Sequence, residues 1–226
     1  MLALACTKKK VGNDTALLGL EYYPKTLGKF VEYDVDSTVY IDLPLSSVTY
    51  KYRIKEKITG YFLDNEGNEA LRLERFIKKY DPAKPYDSMA YTIKEVWMVN
   101  ADKRKVEVVE GNIRYTKLVF PVSNGTSWNG NIRNTLGEWN YMYDGIDLSE
   151  VMNGINLNKV LKVVQKSERT QIAYKNYVEK YAKGVGLVYR EIIDVTSNNV
   201  LPNVPVEQRI EKGVIYKQKI VNNGYE

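Results

Sequence analysis

The sequence predicts an all-β protein: a single, strongly bent, mostly antiparallel sheet forming a half-barrel or open barrel, with little helix. Three observations predict it. From Val48 to Leu63, apolar and basic residues alternate with a period of two, as in a strand with one buried face. Short turns rich in Gly, Asn and Asp separate this run from others like it, and turns that short join antiparallel neighbours. Tyrosine dominates the aromatics, 19 against 4 Phe and 3 Trp, and its ring suits a half-buried pleated surface. No stretch shows three turns of helical periodicity, and no internal repeat is visible.

The elements follow in order. Phe30 to Tyr40 reads as a first strand. In Val48 to Leu63, one parity carries Val48, Tyr50, Tyr52, Ile54, Ile58 and Phe62, expected to face inward. The other carries Lys51, Arg53, Lys55 and Lys57, expected to face water. Strands usually have about 5–6 residues, so a run of this length implies strong bending, with Gly60 as the candidate bulge. Asp64 to Asn68 is a hairpin turn, and Ala70 to Tyr80 pairs back. After a Pro-bearing loop from Asp81 to Asp87, Tyr91 to Val99, Lys105 to Glu110 and Ile113 to Val122 form a meander. Its turns are Asn100 to Lys103 and Gly111-Asn112. Ser123 to Asn134 is Ser-, Asn- and Gly-rich and reads as a loop. Trp139 to Tyr143, Lys159 to Gln165 and Thr170 to Tyr174 are further strands. Asn176 to Ala182 fits a strand or a helical turn equally. Gly186 to Val195 and Val206 to Val221 complete the sheet.

The N-terminus speaks to location. Leu2 to Ala5 are apolar or small, then comes the chain's one cysteine, Cys6, then Thr7 and three lysines. This pattern resembles the end of a lipoprotein signal peptide, which would be cut before the Cys and lipidated on it. A lone thiol in an exported protein has no disulfide partner and is a liability; a thioether-linked anchor removes it. The expected organisation is a signal-peptide remnant over 1–5, the lipidated Cys6 and a linker over 6–20, and a β domain over 21–226. The alternative is an ordinary N-terminus with a chance Cys.

Composition excludes several chemistries. Histidine is absent, which removes Ser-His-Asp and Cys-His catalysis and every His-ligated metal site. With Cys6 consumed by lipid, thiolate metal and redox sites go too, so no metal and no cofactor is expected. The 33 basic and 28 acidic residues, net +5, are interleaved, whereas a nucleic-acid footprint needs clustered Lys and Arg. Apart from the N-terminal remnant, no run of 18 apolar residues offers a membrane-spanning helix. Asp64 to Glu69 lacks the ligand spacing of a calcium loop. Gly184-Val185-Gly186 lacks the third glycine and the strand–helix setting of a dinucleotide site. The remaining route to an enzyme is a carboxylate pair, with Glu74, Glu95, Glu107 and Glu191 as strand-borne candidates.

Two longer stretches carry a resemblance. Tyr22-Tyr23-Pro24-Lys25-Thr26-Leu27-Gly28-Lys29-Phe30-Val31-Glu32-Tyr33-Asp34-Val35 and Tyr181-Ala182-Lys183-Gly184-Val185-Gly186-Leu187-Val188-Tyr189-Arg190-Glu191 follow the lipidation signal in that order. Together they resemble small β-rich cell-envelope lipoproteins of Bacteroidota over roughly residues 2–195. Phe30 stands where that group more often has Trp. The resemblance implies anchoring in the cell envelope and brings no catalytic or binding residues with it. Lys8 to Lys10 replace the acidic residues that follow the Cys in surface-export signals, which favours the periplasmic side. The group also implies O-glycosylation at Asp-Ser/Thr motifs; Asp14-Thr15-Ala16, in the linker, fits best, while Asp36-Ser37-Thr38 and Asp87-Ser88-Met89 fit turns as well.

The expected function is a non-catalytic binding module for an amphipathic ligand, a lipid or a glycan, held at the membrane by its N-terminal lipid. An excess of tyrosine can line a face with rings and hydroxyls together. Trp97 and Trp139, both in expected strands, are the candidate ligand contacts, and each also fits a plain core position. The rival is a structural or protein-interaction module of the envelope with no small ligand; a hydrolase is third.

Overall fold

The computed structural model describes residues 17–226. Thirteen strands account for nearly all its regular structure: β1 (Lys29–Ile41), β2 (Ser46–Leu63), β3 (Glu69–Lys79), β4 (Thr92–Ala101), β5 (Lys105–Glu110), β6 (Ile113–Val119), β7 (Ser127–Asn129), β8 (Asn140–Tyr143), β9 (Leu148–Met152), β10 (Ile155–Arg169), β11 (Ala173–Ala182), β12 (Gly186–Thr196) and β13 (Lys212–Tyr225). Every pairing is antiparallel, in the order β6-β5-β4-β3-β2-β1-β13-β12-β11-β10-β8-β7, with β9 folded back on β10. The sheet curls into a barrel that is nearly closed, with one seam between β6 and β7. The all-β, open-barrel expectation holds.

Hydrogen bonds tie the seam, among them one from Asn134 Nδ2 to the Arg114 carbonyl at 2.8 Å. The Thr116 amide donates to the Gly130 carbonyl at 2.9 Å. Trp128 Nε1 donates to the Thr116 carbonyl at 2.8 Å. The Tyr143 hydroxyl donates to the Val119 carbonyl at 2.6 Å and accepts from the Val119 amide at 2.9 Å.

Strand register shows which residues face the lumen, because directly paired residues share a face. One row runs Tyr52, Val35, Gln218, Arg190, Glu179, Val163, Tyr143 across β2, β1, β13, β12, β11, β10 and β8. On the other side of the barrel, Ile58 pairs Leu73 and Leu73 pairs Trp97, while Glu56 pairs Arg75 and Arg75 pairs Glu95. Lys117 on β6 bonds Glu179 on β11, and Arg190 on β12 bonds Glu110 on β5. These contacts join strands far apart in the sheet and so cross the lumen.

The facing expected for Val48 to Leu63 holds at its centre and fails at its ends. Ile54 and Ile58 are buried, at 1% and 5% exposure. The β2–β3 register slips between Ile58 and Gly60, a bulge where Gly60 suggested one, and the extra residue flips the parity beyond it. Phe62 therefore pairs Ala70 on the face opposite Leu71, and is 42% exposed. Val48 and Tyr50 keep the lumen parity but stand past the end of the facing wall, so they are exposed too. Lys55 corrects the other face. It points outward yet is buried, because the C-terminal Glu226 folds back to pair with it and its ammonium lies 4.3 Å from the Phe30 ring centre. Arg53 is half-buried against Asp34.

Other boundaries moved. Asn176 to Ala182 belongs to β11, Lys159 to Gln165 is the middle of β10, and the stretch from Ser123 contains β7. Val206 to Gln208 is a 3-10 turn ahead of β13. The β9–β10 hairpin is not among the expected elements, although its Asn153-Gly154 turn, with positive φ at both residues, carries the strongest short-range hairpin signal. Ahead of β1, the Leu18 carbonyl accepts from the Val122 amide and Tyr22 is buried, so both residues pack on the barrel.

Candidate functional site

The two ends of the barrel differ. The end with the β2–β3 and β4–β5 turns is filled: Leu71, Val99, Val106, Leu118, Leu161 and Tyr181 form a continuous core with Tyr22. Towards the other end a cavity of about 460 Å³ opens. Its walls are Tyr115, Leu136, Trp139, Tyr141, Tyr177 and Ile192, and its floor is Glu110, Lys117, Gln165, Glu179 and Arg190. Trp139 stands edge-on to Tyr177 with centroids 5.0 Å apart. Gly130 supports the Tyr141 wall: a Cβ there would lie 2.4 Å from the tyrosine ring, so only glycine fits.

The floor is an ion network. Lys117 Nζ contacts Glu110 and Glu179 at 3.0 Å each, and Arg190 contacts them at 2.9 and 2.8 Å. The Tyr181 hydroxyl donates to Glu179 at 2.6 Å. Behind it, Arg75 bonds Glu56 at 2.9 Å and pairs with Glu95, and the Tyr33 hydroxyl bonds the Leu187 carbonyl at 2.9 Å. Each cation thus meets two carboxylates. Burial opposes ionisation of Glu110, yet Arg190 and Lys117 outweigh it and hold its carboxyl down to about 2. The same contest keeps Glu179 below its ordinary value. Burial would strip the proton from Lys117, but Glu110 and Glu179 raise its affinity for it. Burial, opposed by the Lys117 ammonium and aided by Glu179 and Glu110, lifts the Tyr141 phenol to about 12.

Not all of this polarity is satisfied. Among the described residues, Gln165 Nε2, Gln218 Nε2, Arg190 Nε and Trp97 Nε1 are buried nitrogens with no hydrogen-bond partner, and the Thr116 hydroxyl is a buried oxygen with none. Leaving such a donor unpaired costs about 1–3 kcal/mol, and native interiors leave few. Gln165 and Arg190 both line the cavity.

Beyond the floor one wall continues and the other stops. Glu110, the last residue of β5, meets Arg190. Past that level the lumen face of the long strands carries Ile192, Tyr216, Ser37 and Tyr50 in one row, then Val214, Val39 and Val48 in the next. These residues form an apron of tyrosine and aliphatic side chains leading out of the cavity.

A wider cleft of about 1090 Å³ lies at the filled end among turn residues. Its charges are largely matched: Asp64 accepts from the Glu66 and Asn68 amides, Arg133 pairs with Glu66, and Arg114 pairs with Glu107. Tyr23 and Phe120 are its aromatic lining, and among the described residues none of its lining side chains carries an unpaired buried donor.

The two candidate tryptophans separate. Trp139 lines the cavity. Trp97 is buried beneath it, with Arg75 over its ring at 3.9 Å and Arg190 at 5.5 Å. The carboxylates Glu74, Glu95, Glu107 and Glu191 are not brought together; each is engaged by different partners. The pair that converges on the cavity floor is Glu110 with Glu179, which the sequence did not single out. A charged residue at an inward parity, as Glu56 is within the β2 alternation, was the available signal. Asp36-Ser37-Thr38 lies within β1, and Asp87-Ser88 in a 3-10 turn. Cys6 and Asp14-Thr15-Ala16 lie outside the described residues.

No family model matches the chain, and no curated protein matches it in sequence. A solved structure it is similar to is a crystal structure described as a "putative lipoprotein" from Parabacteroides distasonis ATCC 8503. Identity is 10%, the TM-score is 0.40, and the match covers 90% of this chain and 98% of that one. A likeness at that score transfers neither fold nor function.

Proposed function

We propose that this chain is a lipid-anchored envelope protein whose open barrel mouth binds an amphipathic ligand, a lipid or a glycan, without catalysis. The observation that carries the binding reading is the conjunction at the cavity: aromatic walls, a volume within the roughly 300–1,000 Å³ of small-molecule sites, and buried donors on Gln165 and Arg190 that no protein group satisfies. The anchor rests on Cys6 and its flanking residues, and the periplasmic side on the lysines after it. Against catalysis stands the state of Glu110 and Glu179. Both are held ionised by shared cations, whereas a general acid needs a raised pKa.

Native mass spectrometry of protein extracted gently from its own envelope tests the binding reading; a co-purifying small molecule is the expected result. If none is found, and tryptophan fluorescence ignores both lipid and glycan panels, the reading fails. The second reading, an interaction module without a ligand, then takes its place. Ile41, Leu43 and Leu45, exposed around the β1–β2 turn, favour it. For the anchor, wild type expressed with its upstream signal takes up labelled fatty acid and Cys6→Ser does not.

A further inference from the structure

We infer that the ligand is a single-chain lipid with an uncharged, hydrogen-bond-accepting head, seated head-down on Gln165 and Arg190 with its tail along the apron. This rests on the binding reading above and chooses within it.

The head follows from the floor. What the floor has to spare is donors, Gln165 Nε2 and Arg190 Nε, with Gln218 Nε2 beside Arg190 in the same row. An acceptor such as an ester, amide or hydroxyl oxygen would satisfy them. What the floor lacks is spare positive charge. Lys117 and Arg190 are each neutralised by both Glu110 and Glu179, and Arg75 by Glu56 and Glu95. An anionic head would give up its hydration and meet no uncompensated cation. A cationic head would meet unpaired donors and two carboxylates already shared by Lys117 and Arg190.

The tail follows from the apron. From Val35 to Val39 the lumen face advances four residues, roughly 13 Å at the usual strand rise. Over that length the side chains offered are Tyr50, Tyr216, Ile192, Val39, Val48 and Val214, flanked by Ser37. Asp194 shares this face but is occupied by the Tyr177 hydroxyl at 2.7 Å and by Lys175. A glycan needs polar partners along its whole length; this surface supplies few beyond tyrosine hydroxyls, and the Tyr216 hydroxyl already donates to Gln218 at 2.6 Å. The cavity is at the small end of the ligand-site range, which suits one chain.

The test is calorimetric titration of the full chain carrying Cys6→Ser, which keeps the anchor's own acyl groups out of the measurement. 1-Decanoylglycerol should fill one site and shift the tryptophan fluorescence. Decanoate at pH 8 has the same tail with a charged head, and 1-butanoylglycerol the same head with a short tail. Each should bind at least about tenfold more weakly. Val48→Lys, at an exposed apron position, should weaken decanoylglycerol about tenfold while leaving 1-butanoylglycerol and the melting temperature unchanged. Decanoate binding as tightly as decanoylglycerol would overturn the uncharged head. An unchanged decanoylglycerol affinity in Val48→Lys would overturn the placement of the tail. Binding of maltohexaose with no acyl compound bound would overturn the lipid assignment and leave the cavity a binding site. No binding by either class would overturn both readings.

Discussion

The filled end of the barrel and its open end are built from the same alternating strands, yet one is a core and the other a cavity. At the filled end, Leu71, Val99, Leu118 and Leu161 meet side chains from the opposite wall. Towards the open end the facing strands β5 and β6 stop at Glu110 and Ile113, while β1, β2, β12 and β13 run on. Inward-pointing residues there face space rather than partners. Alternation therefore specifies which way a side chain points; the length of the opposing strand decides whether it is buried. The floor between the two ends is where charge replaces hydrocarbon, and it closes off the core from the mouth.

The largest effect should come from breaking that floor. Glu179→Leu leaves Lys117 and Arg190 each short of a carboxylate in a buried site, and losing one partner of such a network costs about 3–5 kcal/mol. Urea unfolding at neutral pH measures it; a loss under about 1 kcal/mol would mean the floor is dispensable. The next effect belongs to the core. Leu161→Ala, fully buried at the filled end, should cost about 2–5 kcal/mol. Tyr50→Ser on the apron should stay within about 0.5 kcal/mol, as exposed positions do. Similar losses at both sites would abolish the distinction between the ends.

Acid sharpens the comparison. The carboxyl of Glu110 sits at about 2 when folded against 4.5 ordinarily. A depressed value means its contribution is fully present above the ordinary value and is lost as pH falls through that interval to about 2. Unfolding free energies at pH 7, 4 and 2.5 should decline most over the last step, and Glu110→Gln should flatten that decline. The smallest effect tests the bulge. Phe62→Ser, on the outer face, should be nearly silent, within about 0.5 kcal/mol. Ile58→Ala, four residues before it and buried, should cost about 2–5 kcal/mol. Equal costs would restore an unbroken alternation through Leu63.

What was legible in the sequence was local. The fold class, most strands and the centre of β2 follow from alternation and turn chemistry, which act over a few residues. Gly60 marked the bulge, but not the flip of parity that put Phe62 outside. Trp139 could be named as a candidate contact because it stood in a strand; that it lines a cavity while Trp97 lies under two arginines was not readable from either residue's neighbours. The burial of Lys55 depends on Glu226, which is 171 residues away in sequence.

By itself the sequence determined an all-β chain of antiparallel strands, the absence of histidine chemistry, and a single cysteine, Cys6, that follows a short apolar run. These rest on composition and on contacts between residues close along the chain. Only the tertiary structure decided that β6 and β7 meet at a seam, that Glu110 and Glu179 converge on Lys117 and Arg190, and that a cavity with unpaired donors remains above them. The physical reason is that a barrel lumen is assembled from strands distant in sequence. Which charges pair across it, and where the opposing wall ends, depend on closure and strand length together, and no local pattern encodes either.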